Sequence, residues 1–201
     1  MPKPNPKVPN KRLSRHEQRA RHQERRVLDP QAVRKALLAE ETGTIIKQGA
    51  QTRIALCYPN PYRVAMSSLG YQVIYRMMNE RPYASAERVV LPDEPDRWRQ
   101  RRWAPVSIES GTPIGDFDLL AFSVAYDLDI PGFFELLELG GVPVHREERG
   151  AHHPPIILGG PLTASNVLPF GPFIDAAVVG DGEVAVAAML DAFDLSSDRD
   201  D

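Results

Sequence analysis

Five short, nearly unbroken apolar runs constrain this chain more than any other feature: RIALCY (Arg53–Tyr58), RVVL (Arg88–Leu91), DLLAFSV (Asp118–Val124), PIIL (Pro155–Leu158) and DAAVV (Asp175–Val179). Between them lie stretches of helical periodicity. Met66, Leu69, Gly70, Val73, Ile74 and Met77 recur on one face of an amphipathic helix of about four turns. A second helix is predicted near Pro131–Leu139, ending at Gly140-Gly141, and a last one over about Glu183–Phe193. Strands that are apolar throughout, alternating with helices, indicate a parallel sheet covered on both faces. The expectation is an α/β fold, a Rossmann-like or flavodoxin-like doubly wound parallel sheet of order 2-1-3-4-5. Asp93–Arg102 is a polar, tryptophan-bearing segment, and Ser107–Ser110 is an extra strand or a loop. No internal repeat interrupts the pattern.

The N-terminus has a different character. Residues 1–12 set Pro2, Pro4, Pro6 and Pro9 among lysines, a composition that builds no core. Ser14 and Glu17 can form a capping box for a charged helix to about Val27. Asp29-Pro30 is a cleaner start, an N-cap followed by proline at the first helical position. That helix should run to about Glu41 with Val33, Ala36 and Leu37 on one face, before Gly43 breaks it. The chain thus divides into a basic, partly disordered and partly helical extension (1–50), an α/β domain (51–194) and an acidic tail (195–201).

Charge follows the same division. Residues 1–35 hold eleven Lys/Arg against Glu17, Glu24 and Asp29, a surplus of eight, so the net charge of −3 leaves −11 on the remainder. A basic arm can be attracted to nucleic acid. However, no aromatic residue occurs in residues 1–50, so the stacking platform for single strands is missing. A solvated helical extension is the plainer account. No apolar run reaches the roughly 18 residues of a membrane span, and the N-terminus lacks the apolar core of a secretory signal. Cys57 is the only cysteine, which excludes an internal disulfide and a multi-cysteine metal site in one chain. A cytoplasmic location is expected.

In open α/β sheets, ligands bind beyond the carboxyl ends of the strands, so the strand-end loops carry the functional reading. The first, Tyr58–Met66, is stiffened by Pro59 and Pro61 and offers Asn60, Tyr62 and Arg63; equally, Tyr62 can simply pack on the rim. The third strand delivers Ser123, whose hydroxyl can donate to a ligand or cap the next helix. Gly159-Gly160 after the fourth strand allows close backbone approach, or makes an ordinary tight turn. Gly180-Asp181-Gly182-Glu183 opens the last helix with Asp181 as N-cap; its acidic side chains suit hydroxyls or amides better than phosphate. Neither a GxGxxG nor a Walker motif is present. His152-His153 lacks a further ligand at fixed spacing, Cys57 reads as an inert core thiol, and Asp116, Asp118, Asp127 and Asp129 read as caps around a strand.

Taken together, CYPNPYRVAMSSLGYQVIYRMMN, IESGTPIGDFDLLAFSVAYDLD, ILGGPLTASN and FIDAAVVGDGE resemble the N-terminal, B12 (cobalamin)-binding-type domain of a family of radical SAM proteins. The likeness runs from about Arg53 to Leu190. It implies a Rossmann-like domain preceding a barrel that holds a [4Fe–4S] cluster through CxxxCxxC and cleaves S-adenosylmethionine. It also implies a ligand surrounded by Asn60, Tyr62, Ser123, Gly159, Gly160, Gly180, Gly182 and Glu183, with Ser123 and Gly159-Gly160 lining the channel for the nucleotide tail of cobalamin. Two departures qualify this. Where the family's D-x-H-x-x-G loop supplies an axial histidine, this chain has Asn60–Ala65 with Tyr62, and a neutral phenol is a poor ligand for such a metal. Cobalamin is therefore expected only without a histidine lower ligand. Second, one cysteine cannot hold a cluster that needs three thiolates, so the cluster and S-adenosylmethionine require a barrel from a longer chain or a separate protein. The implied role is a non-catalytic accessory domain. The alternatives are a structural domain docking on a radical SAM barrel and, more remotely, a nucleic-acid-binding protein using its basic arm.

Overall fold

The computed structural model describes residues 28–197, with side chains as far as Ala192. The capping box at Ser14 and Glu17 lies outside the described residues, as do residues 198–201 of the tail. Five strands, β1 (Thr52–Tyr58), β2 (Ala84–Val90), β3 (Leu119–Ser123), β4 (Ile156–Gly159) and β5 (Ala176–Ala177), form one sheet. Its order is β2-β1-β3-β4-β5 and every pairing is parallel. The expected doubly wound α/β fold and strand order are present.

The helices are α1 (Pro30–Glu40), the single turn α2 (Tyr62–Ala65), α3 (Leu69–Glu80), α4 (Pro95–Arg101), α5 (Ile130–Gly140) and α6 (Gly182–Ser197). Asp29 caps α1 by accepting a hydrogen bond from Ala32 N at 2.9 Å, as Asp29-Pro30 predicts. Gly141 ends α5 in the left-handed region, at φ +67°, where a residue without Cβ is favoured. Two expectations shift. The helix after β1 starts at Leu69, because Ser68 caps it and Met66 ends the preceding turn. Its buried face is then Tyr71, Tyr75 and Met78, and Leu69 is 74% exposed. The last helix continues beyond Phe193 to Ser197.

Successive residues of a strand point to opposite faces, and the core divides accordingly. Ala55, Cys57, Leu120 and Phe122 pack beneath α5 with Phe133, Leu136 and Leu137. Ile54, Leu56, Leu119 and Ala121 pack beneath α3 and α6 with Tyr71, Met78, Val186 and Leu190. Phe133 meets the Phe122 ring edge-on at 4.6 Å between centroids. Burial of such a side chain contributes about 1.5–3 kcal/mol.

The second strand is longer than its apolar run, beginning at Ala84 and including the buried Glu87 and Arg88. Ser107–Ser110 is a turn rather than a strand, laid against the outer edge of β2. Ile108 N donates to Arg88 O at 2.8 Å, and Arg88 N donates to the Glu109 carboxylate at 2.7 Å. At the opposite edge, β5 has two paired residues where the DAAVV run suggested five.

Candidate functional site

A groove of about 720 Å³ opens at the carboxyl ends of β1, β3 and β4, between α3 and α6. Leu56, Ala121 and Ile157 form its floor, with Ile74 and Met78 on one wall and Val186 and Met189 on the other. Ser123, Gly159, Gly160, Gly180, Gly182 and Glu183 gather at its mouth. The register explains the central pair: β3 and β4 run parallel with Ser123 opposite Gly159. The Ser123 hydroxyl has no hydrogen-bond partner among the described residues.

The glycines differ in what requires them. Gly160 has φ +103°, and a Cβ there would lie 2.5 Å from Val124 O, so both conformation and packing exclude a larger residue. A Cβ on Gly182 would come within 2.8 Å of Ile74 Cδ1, where α6 passes close to α3. Gly159 would meet only ordinary contacts. Thr163 fastens the two loops by donating toward Gly160 O (2.9 Å) and Val178 O (2.7 Å).

Asn60 and Tyr62 do not join this group. Asn60 Nδ2 donates to Asp129 Oδ1 at 2.7 Å, and Asp129 also accepts from Ala125 N and Tyr126 N. The Asn60 amide is thus engaged in holding the first loop to the third. Tyr62 turns the other way. Its hydroxyl donates to Glu41 at 2.5 Å, and burial together with the adjacent Glu41 carboxylate pushes the phenol up to about 12. It lines a separate cavity under α1.

Glu41 leads to a cluster that sequence spacing does not signal. Arg88 donates through Nη1 and Nη2 to both Glu41 oxygens (2.8 and 2.6 Å) and through Nε to Glu109 (2.6 Å). The guanidinium lies over the Tyr75 ring, 4.8 Å from its centroid. Burial opposes the Arg88 charge, but the two carboxylates outweigh it and hold the group more basic than usual. Burial alone would raise the Glu41 carboxyl, yet Arg88 and the Thr44 and Tyr62 hydroxyls bring it below its ordinary value. Burial pushes the Glu109 carboxyl up, and Arg88 only partly offsets this. The residues sit 47 and 21 positions apart, so no local pattern pairs them.

Burial also pushes the Cys57 thiol well up, and a protonated, enclosed thiol is a poor nucleophile. The His152 and His153 rings lie 3.9 Å apart between centroids, tilted by 42°. No group of three potential metal-ligating side chains occurs among the described residues. None of their helices is long and apolar enough to cross a membrane.

A five-stranded parallel sheet with an apolar groove beyond its carboxyl edge defines a doubly wound α/β domain. The profile of one family, described as radical SAM proteins, N-terminal, matches residues 70–200, about two thirds of the chain. The chain belongs to that family and is thereby associated with radical SAM chemistry. The matched region includes β2 to β5 but not the Asn60–Tyr62 loop. Comparison with curated proteins and with solved structures finds no match.

Proposed function

We propose that this chain acts as a non-catalytic accessory domain of a radical SAM system, with the groove between α3 and α6 holding the tail of a cobalamin. The observation that carries the reading is the opposition of Ser123 and Gly159 at the mouth of an apolar slot. An aromatic tail base suits the floor of Leu56, Ala121 and Ile157. The Ser123 hydroxyl and the backbone of Gly159 and Gly160 would meet the polar part of the tail. No histidine lines the groove, so the fit is to a corrin without a histidine lower ligand. When bound, cobalamin supplies a cobalt centre able to carry a transferable alkyl group. This chain's own residues hold and orient it and exclude water from its tail. The iron–sulfur cluster and S-adenosylmethionine would belong to a barrel in the same longer chain or in a partner.

Titration of the full chain with hydroxocobalamin, followed by corrin absorption and retention on gel filtration, tests the reading. Saturable binding that weakens about tenfold or more in Gly159→Val is expected. An unchanged spectrum with no retained corrin defeats it.

A second reading has its own support. Leu69, Tyr126, Leu128 (90% exposed), Leu168 (83% exposed) and Val184 stand exposed on the segments that follow the strands. Isolated exposed apolar residues are ordinary; the support here is that these lie on segments following β1, β3, β4 and β5. Under this reading the rim docks on a radical SAM barrel and no ligand enters the groove. Absence of corrin binding together with stable association with such a barrel would favour it. Nothing comparable supports nucleic-acid binding, because the basic arm lies largely outside the described residues.

A further inference from the structure

Helix α1 differs from the helices of the core in what it buries. α3 encloses Tyr71, Tyr75 and Met78, and α5 encloses Phe133, Leu136 and Leu137, whereas no residue of α1 is buried. Beneath it lies a cavity of about 640 Å³, with Val33 and Leu37 on the helix side and Leu91, Trp98 and Ile108 on the domain side. An isolated helix shorter than about 12–15 residues is marginal in water, and helices in proteins draw most of their stability from a packed apolar face. With 11 residues and a space under its apolar face, α1 lacks that support.

Among the described residues, the hydrogen bonds that tie α1 to the domain go to a single turn. Gln31 Nε2 donates to Gly111 O at 2.9 Å in an exposed bond, and the Arg34 guanidinium donates to Glu109 O. The second contact is bought with an unmade bond, since Arg34 Nε is enclosed without an acceptor. That penalty belongs to the seated helix and is relieved when the group meets water.

Directly beyond α1 the attachment changes. Glu41 accepts from Arg88 at 2.8 and 2.6 Å and from the Thr44 and Tyr62 hydroxyls. The Tyr75 hydroxyl bonds both backbone groups of Ile45 at 3.1 Å. A weakly seated helix therefore joins a firmly held segment between Glu40 and Glu41, and the residues that end an element are where hinges form.

We infer that α1 is a lid. It lifts from the domain as one unit, pivoting at Glu41 while the sheet stays folded, and so uncovers the cavity in front of Trp98 and Ile108. Such an opening belongs to the low end of the range of local opening free energies within a native protein.

Amide hydrogen exchange of the full chain, followed residue by residue by NMR, tests this. The α1 amides from Arg34 to Glu40 are expected to share one level of protection, at least about a hundredfold below that of β1 and β3. Ile45, whose N–H is held by the Tyr75 hydroxyl, should be protected with the sheet. Leu37→Phe, which extends an apolar ring into the cavity, should slow exchange in α1 about tenfold. Gln31→Ala, which removes the exposed contact, should speed it, and neither variant should alter exchange in β1. Protection of α1 equal to that of β1 overturns the inference, as does the absence of any protection, which would mean that the lid does not close. Exchange of Ile45 together with α1 overturns the pivot. An unchanged α1 rate in Leu37→Phe overturns the part assigned to the cavity.

Discussion

At the β2 edge of the sheet, the 107–110 turn stands in for a neighbouring strand through the Ile108 N–H and the Glu109 carboxylate, while Glu87 of β2 reaches back to the turn. Glu109 accepts from Arg88 N, and Glu87 accepts from Ser110 N. At the β5 edge, only Ala176 and Ala177 are paired, and both are exposed. Each arrangement answers the same hazard, since an edge strand presents unpaired backbone groups to other chains. The first edge is covered and charged; the second is kept short. The covered edge depends on burying charge, which is stabilising only while every member keeps its partners. The short edge depends instead on its flanks, where Asp175 N and Val178 N bond β4 carbonyls and the Asp175 carboxylate accepts from Ile156 N and Arg149.

The sharpest way to break this comparison is Arg88→Ala. It leaves Glu41 and Glu109 enclosed without their shared cation, and a loss of about 3–5 kcal/mol is expected in urea unfolding. A loss below about 1 kcal/mol would show that the cluster is dispensable.

A smaller effect separates the two carboxylates by pH. The Glu41 value is lowered in the fold, so its contribution is complete above the ordinary carboxyl value and fades as pH falls through the lowered one. Glu41→Gln should therefore cost most near neutrality, and the gap to the parent chain should narrow below about pH 4.5. Glu109 is shifted the other way, so its ionisation opposes folding near neutrality. The gap for Glu109→Gln should not narrow in that manner. Unfolding midpoints of both variants measured between about pH 3.5 and 7 check the signs.

The smallest effect is expected at the open edge. Val179→Lys, on an exposed side chain just beyond β5, should change stability by no more than about 0.5 kcal/mol. A larger loss would mean that this edge is as closely integrated as its counterpart.

These differences also mark where the sequence was legible. The fold class could be read because most strands are apolar on both faces, a local property, whereas the 2-1-3-4-5 order came from the flavodoxin-like arrangement expected of such a fold and from no strand's own residues. The start of β2 could not be read, since ASAER carries Glu87 and Arg88, whose burial rests on partners far away in the chain. Within the candidate site, Ser123 and the four glycines come together because each ends or follows a parallel strand, and topology alone assembles them. Asn60 and Tyr62 belong to a strand-end loop as well, yet the loop's side chains are recruited by Asp129 and Glu41. Only three-dimensional pairing reveals that choice. The phase of α3 was misjudged for a related reason: the Ser68 cap and the bond from the Tyr71 hydroxyl to Leu56 O (2.8 Å) decide which face turns inward. Leu69 and Val73 have no such anchor.

The contacts of residues 41–47 have a practical consequence for anyone dividing this chain. Besides Glu41 on Arg88, Lys47 Nζ bridges the carbonyls of Arg81 and Ala84, and the Tyr75 hydroxyl bonds both backbone groups of Ile45. A fragment cut at the first strand would keep the whole sheet yet strip acceptors from two guanidinium nitrogens and partners from a buried phenol. The smallest piece that preserves these bonds begins upstream of Glu41, so the unit that folds is longer than the unit that pairs.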